Sequence, residues 1–150
     1  MAKEYRMGRV LGLDYGDRTI GVAVSDALNI TAQSLETIRR EDEKSIKKSV
    51  ARLKEIIKEY EICEIVLGFP KNMDNTLGVR AIKTQEFKER LHRNFKKMPI
   101  VLWDERLSTM AVQRGLKSEG LSIEKREEVV DKLAAAFILQ GYMDSKGEKN

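Results

Sequence analysis

The sequence is poor in the residues that carry most side-chain catalysis and transition-metal binding. Its 150 residues include one cysteine, Cys63, and one histidine, His92. A single cysteine excludes an internal disulfide and is typical of a protein from a reducing cytoplasm. His92 lies among charged residues in KERLHRNFKK, which is typical of a solvated helix face. Zinc sites built from histidine and cysteine are excluded for want of ligands.

Long apolar runs and the common nucleotide-binding motifs are also absent. No apolar run approaches the ~20 residues of a membrane helix, and the first residues, MAKEYRMGR, contain no signal-peptide core. The glycine spacing matches neither the phosphate loop G-x-x-x-x-G-K-[ST] nor the dinucleotide fingerprint G-x-G-x-x-G. We therefore expect a cytoplasmic protein without a membrane partner.

Charged residues are abundant and nearly balanced. Lysine and arginine number 28 and aspartate and glutamate 24, which gives a net charge of +4, and hydrophobic residues make up 41%. This composition predicts a globular protein, and its mild basic excess permits a polyanionic partner without requiring one. The length favours a single domain over residues 1–150, with loose ends at about 1–7 and 145–150.

Hydrophobic periodicity predicts three strands followed by helices that alternate with further strands. The predicted strands cover 9–14, 19–25, 30–38, 64–69 and 100–103, and the predicted helices cover 43–60, 77–97, 108–116 and 123–143. This order indicates an α/β fold with a mixed sheet and helices on its faces. In the second strand Gly21, Ala23 and Ser25 share one face, which leaves room for a helix to approach closely.

Carboxylates are the remaining candidates for chemistry. Asp14 ends the first strand, and Asp104 and Glu105 follow the last strand, at the edge where open α/β sheets place their sites. Asp131 lies at the margin of the apolar stripe predicted for the final helix. That stripe consists of Val130, Leu133, Ala134 and Phe137. Each acid also has an ordinary interpretation, as the opening of a turn, the partner of a nearby arginine or a surface residue.

Taken together, these acids favour a metal site. Clustered carboxylates repel one another and need a cation, and the ions that prefer oxygen ligands are Mg²⁺ and Mn²⁺. Two such ions ~4 Å apart perform in-line phosphoryl displacement without a side-chain base. Because strand alternation puts Asp104 and Glu105 on opposite faces, only one of them should point into the site.

Four spaced motifs resemble one protein family. They are GLDYGDRTIGVAVSD, IVLGFPKNMDNTLGVRA, DERLST and DKLAAAFILQGY, spread over about residues 8–143. In this order they resemble the YqgF family, also called RuvX, whose members are described as Holliday-junction resolvases or pre-ribosomal RNA nucleases. The resemblance implies a ribonuclease H-like fold, in which a five-stranded mixed sheet with its first three strands antiparallel is flanked by helices.

The resemblance also implies metal-dependent hydrolysis of phosphodiesters. Asp14 would be the central metal ligand, and Glu105 and Asp131 would complete a catalytic set that binds Mg²⁺ or Mn²⁺. Junction resolvases usually carry an acid at the end of the strand after the first helix, where this sequence reads GFP at 68–70. Glu105 would therefore have to substitute from the neighbouring strand, and the number of bound ions, one or two, stays open.

Five further residues are expected to bind nucleic acid. Arg18 and Arg106 lie beside the proposed acids and are assigned to phosphate contacts. Lys71, Asn72 and Arg80 belong to the segment KNMDNTLGVRA, which leads into a helix N-terminus whose free N–H groups favour phosphate. An ordinary capping loop is the alternative for this segment.

The predicted function is an Mg²⁺- or Mn²⁺-dependent endonuclease acting on structured nucleic acid. We favour 5′-end processing of precursor 16S ribosomal RNA, with resolution of branched DNA as the alternative. A catalytically silent RNA-binding protein is a further alternative. An ATP-binding module is disfavoured, because no second domain is available to close over a nucleotide. The sequence leaves the oligomeric state open between monomer and homodimer.

Overall fold

The computed structural model describes residues 8–42, 45–71, 74, 77–105 and 119–147, with the backbone alone for 126–132. Within these ranges one sheet contains the strands β1 (Arg9–Tyr15), β2 (Thr19–Ser25), β3 (Ala32–Arg39), β4 (Ile62–Phe69) and β5 (Ile100–Asp104). The helices are α1 (Ile46–Glu59), α2 (Val79–Asn94) and α3 (Ile123–Gly147). The short helix predicted over 108–116 lies outside the described residues.

The sheet has the strand order β3-β2-β1-β4-β5. β2 is antiparallel to both β1 and β3, whereas β4 is parallel to both β1 and β5. The predicted mixed sheet with its first three strands antiparallel is therefore confirmed. Because β1, β4 and β5 run in the same direction, their carboxyl ends meet at one edge of the sheet, and this edge carries Asp14 and Glu105.

Helices cover both faces of the sheet. Leu11 and Leu13 of β1 pack in the larger core, together with α1 and α2. α3 covers the opposite face, hereafter the α3 face, where Ala23 of β2 and Val66 of β4 are buried beneath it. This agrees with the prediction that the small residues of β2 admit a helix. None of the helices in the described ranges combines the length and apolar composition of a membrane span.

Glycine in the central strand lets α3 approach the sheet closely. A Cβ added at Gly12 would lie 2.7 Å from the Leu139 Cβ and 2.9 Å from the Ala135 carbonyl oxygen, so only glycine fits at this crossing. The buried residues of α3 are Ala135, Ala136, Ile138, Leu139 and Tyr142.

The stripe predicted for α3 was therefore wrong. Leu133, Ala134 and Phe137 are only partly buried, and the side chain of Val130 lies outside the described part of the chain. The segment LAAAFIL is apolar around most of the helix, so its periodicity does not distinguish one face from another. The glycine-lined sheet selects the face with Ala135, because small residues allow the closest packing.

The predicted bounds agree with the structure to within three residues at every described end but one. α3 continues to Gly147, four residues beyond its predicted end. Two contacts hold this last turn on the helix: the Ser145 hydroxyl donates to the Tyr142 carbonyl (2.8 Å), and the Lys146 ammonium lies 5.1 Å from the Tyr142 ring centroid.

Candidate active site

Asp14 lies near the end of the central strand, on the α3 face. It shares this face with Gly12 because side chains alternate along β1, and it pairs across the ladder with Gly21 of β2. A Cβ added at Gly21 would lie 3.6 Å from the Asp14 Cβ. Asp14 is half-buried, and Gly21, its neighbour on β2, has no side chain to crowd it.

Glu105 reaches the same face from the end of β5. Its Oε2 atom lies 2.8 Å from the position that a Cβ of Gly68 would occupy, so the carboxyl group lies over the end of β4. The sequence lacks an acid at this end of β4, and the missing side chain leaves the space that Glu105 fills. The Glu105 carboxyl group, which comes from the end of the neighbouring strand β5, thus lies beside the position on β4 where the acid is lacking.

The side chains of Asp14 and Glu105, hereafter the carboxyl pair, are hydrogen bonded to each other. The pKa of Glu105 is raised to about 7, first by burial and next by the negative charge of Asp14, whereas the positive charge of Arg80 acts in the opposite direction. Below neutral pH Glu105 is therefore mostly protonated and can donate to Asp14. A cation beside the carboxyl pair would favour the ionised form of Glu105.

Asp104 contributes less to this environment than its neighbour does. Its charge raises the pKa of Glu105, but it is the last of the causes, after burial, Asp14 and Arg80. Asp104 pairs with Phe69 in the β4–β5 ladder, and Glu105 follows it on the α3 face. Of the two adjacent acids, Glu105 is the one that joins Asp14.

The backbone of α3 brings residue 131 to the same end of the sheet. Tyr142 bonds to Glu64 near the start of β4, whereas Ala135 lies beside Gly21, the ladder partner of Asp14. α3 therefore runs antiparallel to β1, and residue 131 lies one turn before Ala135, about 6 Å further along the axis. The Asp131 side chain lies outside the description.

The structure describes three of the predicted cationic contacts, and one of them acts on the carboxyl pair. Arg80, in the first turn of α2, is exposed, and its charge acts on the Glu105 carboxyl. Lys71 follows β4 and is half-buried, with its ammonium 6.0 Å from the Phe69 ring centroid. Arg18 lies exposed on the β1–β2 turn, three residues beyond the strand end. The predicted contacts Asn72 and Arg106 lie outside the described residues.

Within the described side chains, no group of three or more histidine, cysteine, aspartate or glutamate residues is placed to hold a metal ion, and Asp131 is not among those side chains. Arg40, which the sequence-based predictions did not include, is buried directly after β3. A signal was available, because Arg40 continues the alternation that places Ile38 of β3 in the core.

Comparison with known proteins gives a consistent result along the whole chain. The model of the RuvX family, described as Holliday junction resolvase, matches residues 8–145. A protein of Desulfitobacterium hafniense (strain DSM 10664 / DCB-2), named "Putative pre-16S rRNA nuclease", is 53% identical over 142 residues, which cover 95% of this chain and 96% of that protein. A protein of Geobacillus sp. (strain WCH70) with the same name is 54% identical over 138 residues, covering 92% of this chain and 99% of that protein.

Solved structures of lower sequence identity share the fold. T. thermophilus RuvC in complex with Holliday junction substrate superposes with a TM-score of 0.57 at 16% identity, over 93% of this chain and 95% of that chain. Another structure of Thermus thermophilus RuvC gives a TM-score of 0.58 at 12% identity, over 93% of this chain and 96% of that chain. At these identities the likeness concerns the fold alone, and it confirms the predicted ribonuclease H-like architecture.

Proposed function

The chain belongs to the RuvX family, as its motifs predicted, and we propose that it is a divalent-metal-dependent endonuclease that hydrolyses phosphodiesters in structured nucleic acid. The observation that carries this proposal is the carboxyl pair. Two acids from strands that are not adjacent in the sheet come close enough for the charge of Asp14 to raise the pKa of Glu105, at the edge where α/β folds place their sites.

The donor chemistry of the carboxyl pair fits a divalent ion that prefers oxygen ligands. Asp14 and Glu105 would hold it, with Asp131 as the third ligand that we propose from α3, and Mg²⁺ and Mn²⁺ match such ligands. When bound, the ion would activate the attacking water and offset the charge that develops on the phosphodiester. The proton that Glu105 and Asp14 share would leave as the site fills, because binding requires both carboxylates to be ionised.

Cationic side chains around the carboxyl pair would orient the nucleic acid. Arg80 already acts on the Glu105 carboxyl, so a phosphate drawn to Arg80 arrives beside the acids. Lys71 and Arg18 lie at the ends of β4 and of the β1–β2 turn, where the same backbone would pass. We retain Asn72 and Arg106 as proposed contacts on the basis of their motifs.

We propose 5′-end processing of precursor 16S ribosomal RNA as the reaction, and a cytoplasmic location follows from it. The support is the name carried by the Desulfitobacterium relative, which is 53% identical over nearly the full length of both proteins. Cleavage of branched DNA is the alternative, and the description of the family model favours it. Both substrates present a phosphate backbone, which a basic protein recognises without regard to sequence.

The experiment compares wild type with Asp14→Asn and Glu105→Gln on a labelled precursor rRNA fragment and on a four-way DNA junction. Each reaction is run with Mg²⁺, Mn²⁺ or EDTA, and binding is measured separately by mobility shift. We expect wild type alone to cleave, EDTA to abolish cleavage, and both variants to retain most of their affinity for the substrate.

Glu119→Gln, which changes an exposed carboxyl group outside the site, is the matched control and should cleave like wild type. Faster cleavage of the rRNA fragment than of the junction supports the ribosomal role, and the reverse supports the DNA role. Cleavage that is equal in wild type and Asp14→Asn would refute the proposed site. Binding without cleavage under all metal conditions would identify a catalytically silent RNA-binding protein.

A further inference from the structure

Arg40 is a buried cation at the end of β3. Only 5% of its surface is exposed, although arginine is rarely buried to this extent without a paired acid. Its Nη2 atom donates to the Tyr15 hydroxyl (3.0 Å) and to the Gly16 carbonyl (2.8 Å). Its Nε and Nη1 atoms have no hydrogen-bond partner in the described part of the chain.

The hydrogen bonds and the ring contact of Arg40 all involve Tyr15, the last residue of β1, and the turn that follows it. The guanidinium lies 4.6 Å from the Tyr15 ring centroid, and the Arg40 backbone N–H donates to the Arg18 carbonyl (2.8 Å). The turn is thus held at Tyr15, Gly16 and Arg18. Asp14 directly precedes these residues, and because side chains alternate along β1, Arg40 and Tyr15 lie on the sheet face opposite the carboxyl pair.

The stacking continues from Tyr15 to α2. The rings of Tyr15 and Phe87 are stacked, with centroids 4.2 Å apart and an interplanar angle of 16°. Phe87 lies seven residues after Arg80, so the two side chains leave α2 on the same side, two turns apart. A layer of Arg40, Tyr15 and Phe87 therefore joins the turn next to Asp14 to the helix that presents Arg80 to Glu105.

This arrangement is costly for folding. Burying a guanidinium with two unpartnered nitrogen atoms forfeits hydration that no carboxylate in the described residues replaces. Unfavourable groups that persist in a fold cluster at functional sites, where rigidity is part of the mechanism. We propose that Arg40 is a positioning residue for the nuclease reaction: it locks the β1–β2 turn and thereby fixes Asp14 relative to Arg80. This inference rests on the proposed function.

The test replaces Arg40 by methionine, which fills a similar volume without charge or donors. Because no buried cation then remains, we expect the thermal midpoint of unfolding in EDTA to equal or exceed that of wild type. We expect kcat with Mn²⁺ to fall about ten- to a hundredfold with KM nearly unchanged, because a slight displacement of reacting groups has an effect of this size. Amide exchange at Gly16, whose N–H donates to the Thr19 carbonyl (2.8 Å), should accelerate.

Arg39→Met is the matched control, because Arg39 is adjacent and exposed, and it should change neither the midpoint nor kcat. Arg40→Lys, which keeps the charge and one donor toward Gly16, should recover part of kcat.

Two outcomes would overturn the inference while the proposed function stands. One is an Arg40→Met protein with the kcat of wild type. The other is a kcat that falls in step with the thermal midpoint through the lysine and methionine variants, because that pattern indicates a purely structural residue. If wild type does not cleave, or Asp14→Asn cleaves equally well, the proposed function itself fails and the inference fails with it.

Discussion

Replacing Glu105 by glutamine should make the metal-free protein more stable at alkaline pH, even though it removes a residue of the proposed site. The wild-type carboxyl is buried beside Asp14, and ionising it there costs free energy. Glutamine has nearly the same shape, carries no charge and can still donate a hydrogen bond to the Asp14 carboxylate. The gain should therefore appear only at a pH where wild-type Glu105 is ionised.

The direction of this stability change follows from the number of protons that the folded and unfolded states bind. The pKa of Glu105 is about 7 in the folded protein against a usual 4.5, so the folded state holds a proton that the unfolded chain has released. Wild type therefore loses stability as the pH rises from about 4.5 to about 7, and the loss is complete above this window. The pKa difference corresponds to about 3 kcal/mol, an upper bound because solvent and the Arg80 charge screen the pair.

The assay is urea unfolding in EDTA at pH 5 and pH 8, followed by the fluorescence of Trp103, the single tryptophan. At pH 5 the variant and wild type should unfold with nearly equal free energies. At pH 8 the variant should be more stable by about 1–3 kcal/mol. Glu119→Gln serves as the control, because its exposed carboxyl should give a difference that changes little with pH.

The reasoning is refuted if the difference between Glu105→Gln and wild type is the same at both pH values. It is also refuted if the variant is the less stable protein at pH 8. Either result would mean that Glu105 is ionised in the metal-free fold without penalty, and that the carboxyl pair does not share a proton.

Three further predictions address the same edge of the sheet. Gly68→Ala should lower the thermal midpoint and reduce cleavage about tenfold, because the new Cβ would lie 2.8 Å from Glu105 Oε2. Gly21→Ala, whose new Cβ would make 3.6 Å contacts, should be tolerated. Equal effects of the two substitutions would refute the close fit of Glu105 over Gly68. Arg80→Ala should raise KM and weaken the salt dependence of nucleic-acid binding, whereas Arg90→Ala, further along α2, should do neither. A salt dependence of Arg80→Ala identical to that of wild type would exclude Arg80 from the nucleic-acid interface. Mn²⁺ should raise the melting temperature of wild type but not of Glu105→Gln, and EDTA should reverse the rise; equal shifts would place the ion elsewhere.

The candidate site was only partly predictable from the sequence. Asp14 and Glu105 could be predicted because each lies at the end of an apolar strand, and strand ends can be predicted from a short segment of sequence. The role of Gly68 could not be predicted, because the sequence shows only that β4 lacks an acid and not that Glu105 fills the space beside Gly68. Alternation along β3 indicates that Arg40 faces the core, but the partners of its guanidinium belong to a turn that lies 24 residues earlier in the chain, and only the tertiary structure shows them.

The sequence alone determined the strands, the helices, their order and the family, because hydrophobic periodicity and motif spacing are properties of short segments. Only the tertiary structure decided which face of α3 meets the sheet, which of the adjacent acids joins Asp14, and what holds the β1–β2 turn from behind. These features depend on strand register and on how closely a helix can approach a glycine-lined surface. Both are set by contacts between residues far apart in the chain, and no local pattern encodes them.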